Sequence, residues 1–134
     1  MCKVYDKILL GDRMENCIFC KIINNEIESR KVYEDDKIIV IMDNNPDENG
    51  HMLVIPKKHF TDFTELDDDT LVHIHNVAKK IKDLIYDKLN ADGVRLVNNY
   101  GLYQAVKHYH LHIIPAYKVR PKKENIDVIF NKLK

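Results

Sequence analysis

The arrangement of apolar and polar positions changes period twice along the chain, and the two changes outline a small mixed fold. The block Lys31-Val-Tyr-Glu-Asp-Asp-Lys-Ile-Ile-Val-Ile-Met-Asp43 places an acidic turn between a short half-apolar segment and a β-branched run, Ile38 to Ile41. That is the pattern of a hairpin whose second strand is largely buried. Asn44-Asn-Pro-Asp-Glu-Asn-Gly50 is dense in turn residues and leads into Met52-Leu-Val-Ile55, a third strand halted by Pro56. From Leu66 to Leu89 the spacing becomes three and four, with Leu71, Ile74, Ala78, Ile81 and Ile85 on one face of a long helix. Thr64 or an aspartate of Asp67-Asp-Asp69 is suited to cap its first amides, and Asn90 to Gly93 offer a left-handed stop. Val94 to Asn98 and Val106 to Ile114 read as two further strands around a Gly101 loop, the second closed by Pro115. Ile126, Ile129, Phe130 and Leu133 suggest a short terminal helix. The order is that of an α+β domain, an antiparallel or mixed sheet with one principal helix against a face.

Composition narrows the function. The 134 residues suit one domain, with a leading arm (1–16), a body (17–117) and a tail (118–134). Twenty-one basic residues balance 21 acidic ones, which removes the footprint of a general nucleic-acid binder but leaves room for a pocket holding one phosphate. No segment approaches the roughly 20 apolar residues of a membrane span, and no signal peptide is evident. The three cysteines, Cys2, Cys17 and Cys20, are too few for a secreted disulfide scaffold, so a reducing, cytoplasmic setting is expected. No glycine-rich phosphate loop of the dinucleotide or Walker type is present.

The seven histidines carry the chemistry. In His108-Tyr-His-Leu-His-Ile-Ile114, strand alternation sends His108, His110 and His112 to one face. Such a row suits metal ligation, or attack on phosphorus by a neutral imidazole whose far nitrogen is held by a hydrogen bond. Cys17-Ile-Phe-Cys20 has the spacing of half a tetrahedral zinc site, which His59 and one histidine of the strand row would complete. A redox pair or two inert thiols are the alternatives. A filled Cys₂His₂ site would be structural, leaving the other histidines for chemistry. His73 and His75, inside the long helix, read as structural or surface residues.

Gln104-Ala-Val-Lys-His-Tyr-His-Leu-His-Ile113 resembles the His-x-His-x-His motif of the histidine triad (HIT) superfamily. Cys17 to Ile23, Val32-Tyr-Glu-Asp35 and Gly50-His-Met-Leu-Val-Ile-Pro-Lys-Lys-His59 resemble the early segments of its zinc-containing bacterial members in the nucleoside phosphoramidase branch. The resemblance runs from Cys17 to Tyr117 and implies a HIT-like antiparallel sheet of about five strands with one long helix, assembled as a homodimer. It implies cleavage of purine nucleoside 5′-phosphoramidates, with dinucleoside polyphosphates as poorer substrates, through a nucleotidyl-histidine at His110. His112, His51, Asn99 and Gln104 would serve the phosphate, Asp43 the ribose, and Ile18, Phe19, Ile22 and Met42 the base of an AMP or GMP moiety. Ala105 and Val106 would border the phosphate, while Cys17, Cys20, His59 and His108 would hold a structural Zn²⁺. The loop Gly101-Leu-Tyr-Gln104 is shorter than is usual in these relatives, and Ala105 stands where many have serine. A nucleotide-binding scaffold dimer with little turnover and a metallohydrolase using a His-cluster metal are the competing readings.

Overall fold

The protein is described by a computed structural model over residues 16–134. The leading arm expected at 1–16 lies outside these residues except for Asn16. Among the described residues the elements run α1 (Ile18–Ile23), β1 (Lys31–Glu34), β2 (Ile38–Met42), β3 (Met52–Pro56), α2 (Asp68–Leu89), β4 (Gly93–Val97), β5 (Leu111–Ala116) and α3 (Ile126–Leu133). The strands form one antiparallel sheet in the order β1-β2-β3-β5-β4. The expected α+β architecture is therefore present, with β5 inserted between β3 and the edge strand β4.

Strand alternation divides the core into two layers. Ile38, Val40, Met42, Met52, Val54, Leu111 and Ile113 face α2, which buries Ile74, Val77, Ala78, Ile81 and Ile85 against them, and α3 adds Ile129 and Leu133. Each of these large aliphatic side chains contributes about 1.5–3 kcal/mol on full burial. Ile39, Ile41, Leu53 and Ile55 face the other way, onto Phe19, Ile22 and Ile23 of α1. A sheet covered on both faces explains why β2 and β3 read as continuous apolar runs, with every residue buried.

Asp67 caps α2 by accepting from the Thr70 amide, and Asn90 ends it in the left-handed conformation at φ 55°. Leu71 is exposed, and Val77 takes its place on the buried stripe.

Two elements differ from the sequence expectation. The short α1 carries no repeating apolar period long enough to be read, yet Cys17 caps it by accepting from the Cys20 amide. The last strand begins at Leu111 rather than Val106 and runs through Pro115 to Ala116. Residues 98–110 instead form an irregular connection with one 3₁₀ turn over Gly101–Tyr103.

Candidate functional site

The connection before β5 separates the histidine row. His112 lies in β5 opposite Leu53 of β3 and Val97 of β4, on the α1 side of the sheet. His108 and His110 precede the strand, so local backbone and side-chain bonds, not the pleat, decide where they point.

His108 turns into a cluster with Cys17, Cys20 and His59, all four buried. Its Nε2–H donates to the Pro56 carbonyl at 2.8 Å. The Nδ1 lone pair is thereby directed to Cys17 Sγ at 3.3 Å, Cys20 Sγ at 3.5 Å and His59 Nδ1 at 3.1 Å. His59 Nδ1 lies 3.2 Å from Cys20 Sγ. Bonds of about 2.3 Å to sulfur and 2.0–2.1 Å to nitrogen give tetrahedron edges of about 3.3–3.8 Å, so the four donors fit one tetrahedral metal ion. Burial holds the His108 pKa down to about 3, against the pull of the Pro56 carbonyl, and so favours the neutral ring a metal requires. Each sulfur of the Cys-x-x-Cys pair faces an imidazole, Cys17 towards His108 and Cys20 towards His59.

His110 takes the opposite tautomer. Its Nδ1–H donates to the His108 carbonyl at 2.8 Å, leaving an Nε2 lone pair. Asn98 Nδ2 donates to the His110 carbonyl at 3.1 Å and ties the segment to β4. The ring packs edgewise on Phe19 and His112, both with centroids 5.0 Å away. Burial lowers its pKa, the His108 carbonyl opposes, and His112 adds to the lowering.

A second hydrogen-bond chain fixes His112. The Asp47 amide donates to His51 Nδ1 at 3.0 Å, so the proton of neutral His51 sits on Nε2. That Nε2–H donates to His112 Nδ1 at 2.9 Å, which puts the His112 proton on its own Nε2. Asp43 Oδ2 lies 3.4 Å from His51 Nε2 and 3.9 Å from His112 Nδ1. Burial lowers the pKa of both histidines; Asp43 opposes this, and His51 further lowers His112.

Asp43, His51 and His112 also have the spacing of a metal triad. Ligation through His51 Nε2 would need its proton on Nδ1, where the Asp47 amide already points. The hydrogen bonding therefore favours a proton-bearing chain there and a metal at the cysteine cluster.

The remaining expected residues are not all brought together. Phe19 and Ile22 are buried in α1 and Ile18 is half exposed. Met42 faces α2 instead, because neighbours in a strand alternate; Ile41 occupies the α1 side with Asp43 following in the same phase. Met42 is thus a correction to the expected base wall.

Gln104 is buried and spends its amide N–H groups on the Thr61 carbonyl at 2.5 Å and the Val106 carbonyl at 3.1 Å, anchoring the 98–110 connection. Val106 packs on the α1 layer, Ala105 is exposed, and Asn99 is half-buried. Asn98, Asp47 and Asn49 were not legible as site-shaping residues. The only hint was the density of Asx residues at 43–49 and the Asn98-Asn99 pair, a composition shared by ordinary turns. Of the helix histidines, His73 bonds Asp35 Oδ2 at 2.7 Å, away from this site.

Comparison with known proteins agrees with the geometry. The HIT domain family matches residues 24–119. An uncharacterized HIT-like protein of Methanocaldococcus jannaschii is 47% identical over 104 residues, 76% of this chain and 80% of the relative. A zinc-bound histidine triad family protein from Mycobacterium smegmatis superposes with a TM-score of 0.82 at 29% identity, over 90% of this chain and 91% of that one. A hypothetical histidine triad nucleotide-binding protein from Sulfolobus tokodaii gives 0.79 at 39% identity, over 87% and 89%.

Proposed function

The chain belongs to the HIT-domain family, and we propose that within it the protein is a zinc-stabilised nucleotide hydrolase or nucleotidyl transferase acting on purine nucleoside 5′-phosphoramidates. The observation that carries this reading is the pair of opposed tautomers. His110 offers an Nε2 lone pair while its neighbour His112 offers an Nε2–H.

In the proposed reaction His110 Nε2 attacks phosphorus and the phosphorus–nitrogen bond breaks. The electron pair leaves on the amine, which takes a proton from His112 Nε2. Water then opens the nucleotidyl-His110 bond, giving its proton back to His112 and restoring the His110 lone pair. A neutral imidazole is already nucleophilic at pH 7, so burial that depresses the pKa of His110 favours the first step.

Asp43 is assigned the ribose hydroxyls, and Ile18, Phe19, Ile22 and Ile41 the base. Asn99, Ala105 and Val106 border the phosphate, and Gln104 positions the connection they stand on. Zn²⁺ held by Cys17, Cys20, His59 and His108 has no open position, and its part is to tie α1 to the catalytic segment. The Zn-bound Mycobacterium smegmatis relative supports that choice of metal.

We assign a homodimer through α2 and the edge strand β4. Support comes from exposed Leu71, Val72 and Leu96 and from a cleft of about 450 Å³ whose lining includes Ala78, Val94 and Leu96. The body at 17–117, the tail at 118–134 and a cytoplasmic setting belong to the same proposal. No helix among the described residues is long and apolar enough to cross a membrane.

The test is quenched intact-mass analysis after mixing with adenosine 5′-phosphoramidate. A nucleotidyl adduct, or turnover lost in His110→Ala, is expected. Undiminished turnover in His110→Ala refutes the mechanism, whereas a protein that binds AMP but neither turns over nor forms an adduct is the scaffold.

A further inference from the structure

The chain that sets the His112 proton begins at a backbone amide, so its accuracy depends on whatever holds the loop carrying that amide. Asp47 lies in the polar connection from β2 to β3, which has no strand ladder of its own over residues 43–51. Besides the Asp47–His51 bond, three internal bonds shape this loop: His51 N–H donates to the Glu48 carbonyl at 3.1 Å, Asp43 N–H to the His51 carbonyl at 3.0 Å and Asn45 N–H to Asp43 Oδ1 at 2.8 Å.

Arg30 Nη1 donates to Asn44 Oδ1 at 3.2 Å near the start of the loop, whereas its Asp47–Asn49 stretch is held from the far end of the chain, between β5 and α3. Tyr117 Oη–H donates to the Asn49 carbonyl at 2.7 Å. Asn49, itself buried, donates from Nδ2 to the Lys122 carbonyl at 2.9 Å and accepts at Oδ1 from the Glu124 amide at 3.0 Å. Arg120 reaches the Glu48 carboxylate at 3.0 Å through Nε and the Asp47 carbonyl at 3.1 Å through Nη2. The strap is fixed at both ends, since β5 is paired on both sides and α3 buries Ile129 and Leu133 against the α2 layer.

We propose that the strap at 117–124 is a positioning device for the active site, acting through Asn49 to aim the Asp47 amide at His51 and so to keep the His112 proton on Nε2. Asn49 is the central residue of the device because it is buried and clamps the strap at two backbone points. Arg120 is exposed and its ion pair correspondingly weak. The hydrogen bonds of Asn49 and Tyr117 go to backbone groups of the loop and the strap and not to the histidines, so each acts on the loop. Without the clamp, the Asp47 amide no longer has one direction, both neutral tautomers of His51 become accessible, and His112 presents a donor only part of the time. The kinetic arm of this inference rests on the phosphoramidate reading, whereas its structural arm does not.

The test compares wild type, Asn49→Ala and Tyr117→Phe, each zinc-loaded and checked for fold by circular dichroism. Proton–nitrogen correlation spectra of the imidazole rings separate a protonated from an unprotonated ring nitrogen. Wild type should show His51 and His112 protonated at Nε2 alone. In Asn49→Ala both rings should move toward averaged tautomers while His110, held by the His108 carbonyl, stays as it is.

With adenosine 5′-phosphoramidate, kcat should fall about three- to tenfold with KM within about twofold of wild type, because the reacting groups and not the nucleotide contacts are misplaced. Tyr117→Phe removes one hydroxyl from the same clamp, should show the same ring changes to a smaller degree, and carries the test if Asn49→Ala does not fold. Ring nitrogens identical to wild type in the folded variants overturn the inference, and so do altered rings with an unaltered kcat. A wild type without turnover would refute the proposed function instead, and the spectra would still decide whether the strap positions His51.

Discussion

Replacing Cys17 by alanine should empty the cysteine–histidine cluster while replacing His110 should leave it filled, although Cys17 and His110 both lie close to the His108 segment. The cost follows from the two bonds Cys17 makes. Its sulfur is one of four donors and lies 3.3 Å from His108 Nδ1, so the variant retains three. The same sulfur accepts from the Cys20 amide at 3.2 Å as the cap of α1, and loss of a cap costs about 1 kcal/mol.

A metal present at about a hundred times its dissociation constant stabilises the folded state by about 2.7 kcal/mol. The variant should therefore lose about 4 kcal/mol in all. Zinc content by mass spectrometry, together with urea unfolding before and after chelation, measures both parts. Wild type should hold about one Zn²⁺ per chain, Cys17→Ala only a small fraction of that, and His110→Ala as much as wild type. Chelation should destabilise wild type and His110→Ala equally and leave Cys17→Ala almost unchanged. Equal metal loss in the two variants would refute the division between structural and catalytic histidines, and full metal in Cys17→Ala would refute the ligand set.

Three further outcomes follow from other parts of the molecule. Although partial burial opposes it, hydrogen bonds from Tyr33, the Lys37 amide, His73 and the Ile38 amide hold the Asp35 pKa at about 2 against 3.8. Asp35→Asn should cost about 1–2 kcal/mol at pH 7 after allowance for partial exposure. The carboxylate's contribution is complete above pH 3.8 and lost as pH falls through about 2, so urea unfolding should show the gap between wild type and variant narrowing from pH 5 to pH 3; a gap that widens contradicts the assignment. Gly50 has φ +91°, and a Cβ there would overlap the Leu89 side chain and come within 3.2 Å of Pro115 Cγ; Gly50→Ala should cost about 2–4 kcal/mol by the same assay. On the proposed function, in which Ala105 borders the phosphate, Ala105→Ser adds a hydroxyl there and should raise kcat about three- to tenfold, which steady-state kinetics would exclude if the rate stayed level.

How much was legible depended on whether a residue acts through periodicity or through a single distant bond. The buried stripe of α2, the caps at Asp67 and Asn90, and the apolar runs of β2 and β3 all follow from local pattern, because burial on one or both faces imposes a period. Met42 was misplaced because its side of the strand depends on phase, which a run buried on both faces does not display. The extent of the final strand was overestimated for a related reason. His108, Tyr109 and His110 alternate in residue type like a strand, yet the Tyr109 amide donates to the Phe60 carbonyl at 2.6 Å and His108 Nε2 to that of Pro56. Those contacts belong to the segment around His59, nearly 50 positions away, and leave no local trace.

By itself the amino-acid order determined the element types, the Cys-x-x-Cys pair and the presence of a histidine row, since each is written in spacing along one stretch of chain. The tertiary structure alone decided which ring nitrogen each histidine leaves free. Whether an imidazole is a metal ligand, a nucleophile or a proton donor rests on which of its two nitrogens carries the proton. That is set here by the Pro56 carbonyl for His108, the His108 carbonyl for His110 and the Asp47 amide, through His51, for His112. These are backbone groups, the same in every residue type, and only folding brings them within reach of the rings they govern.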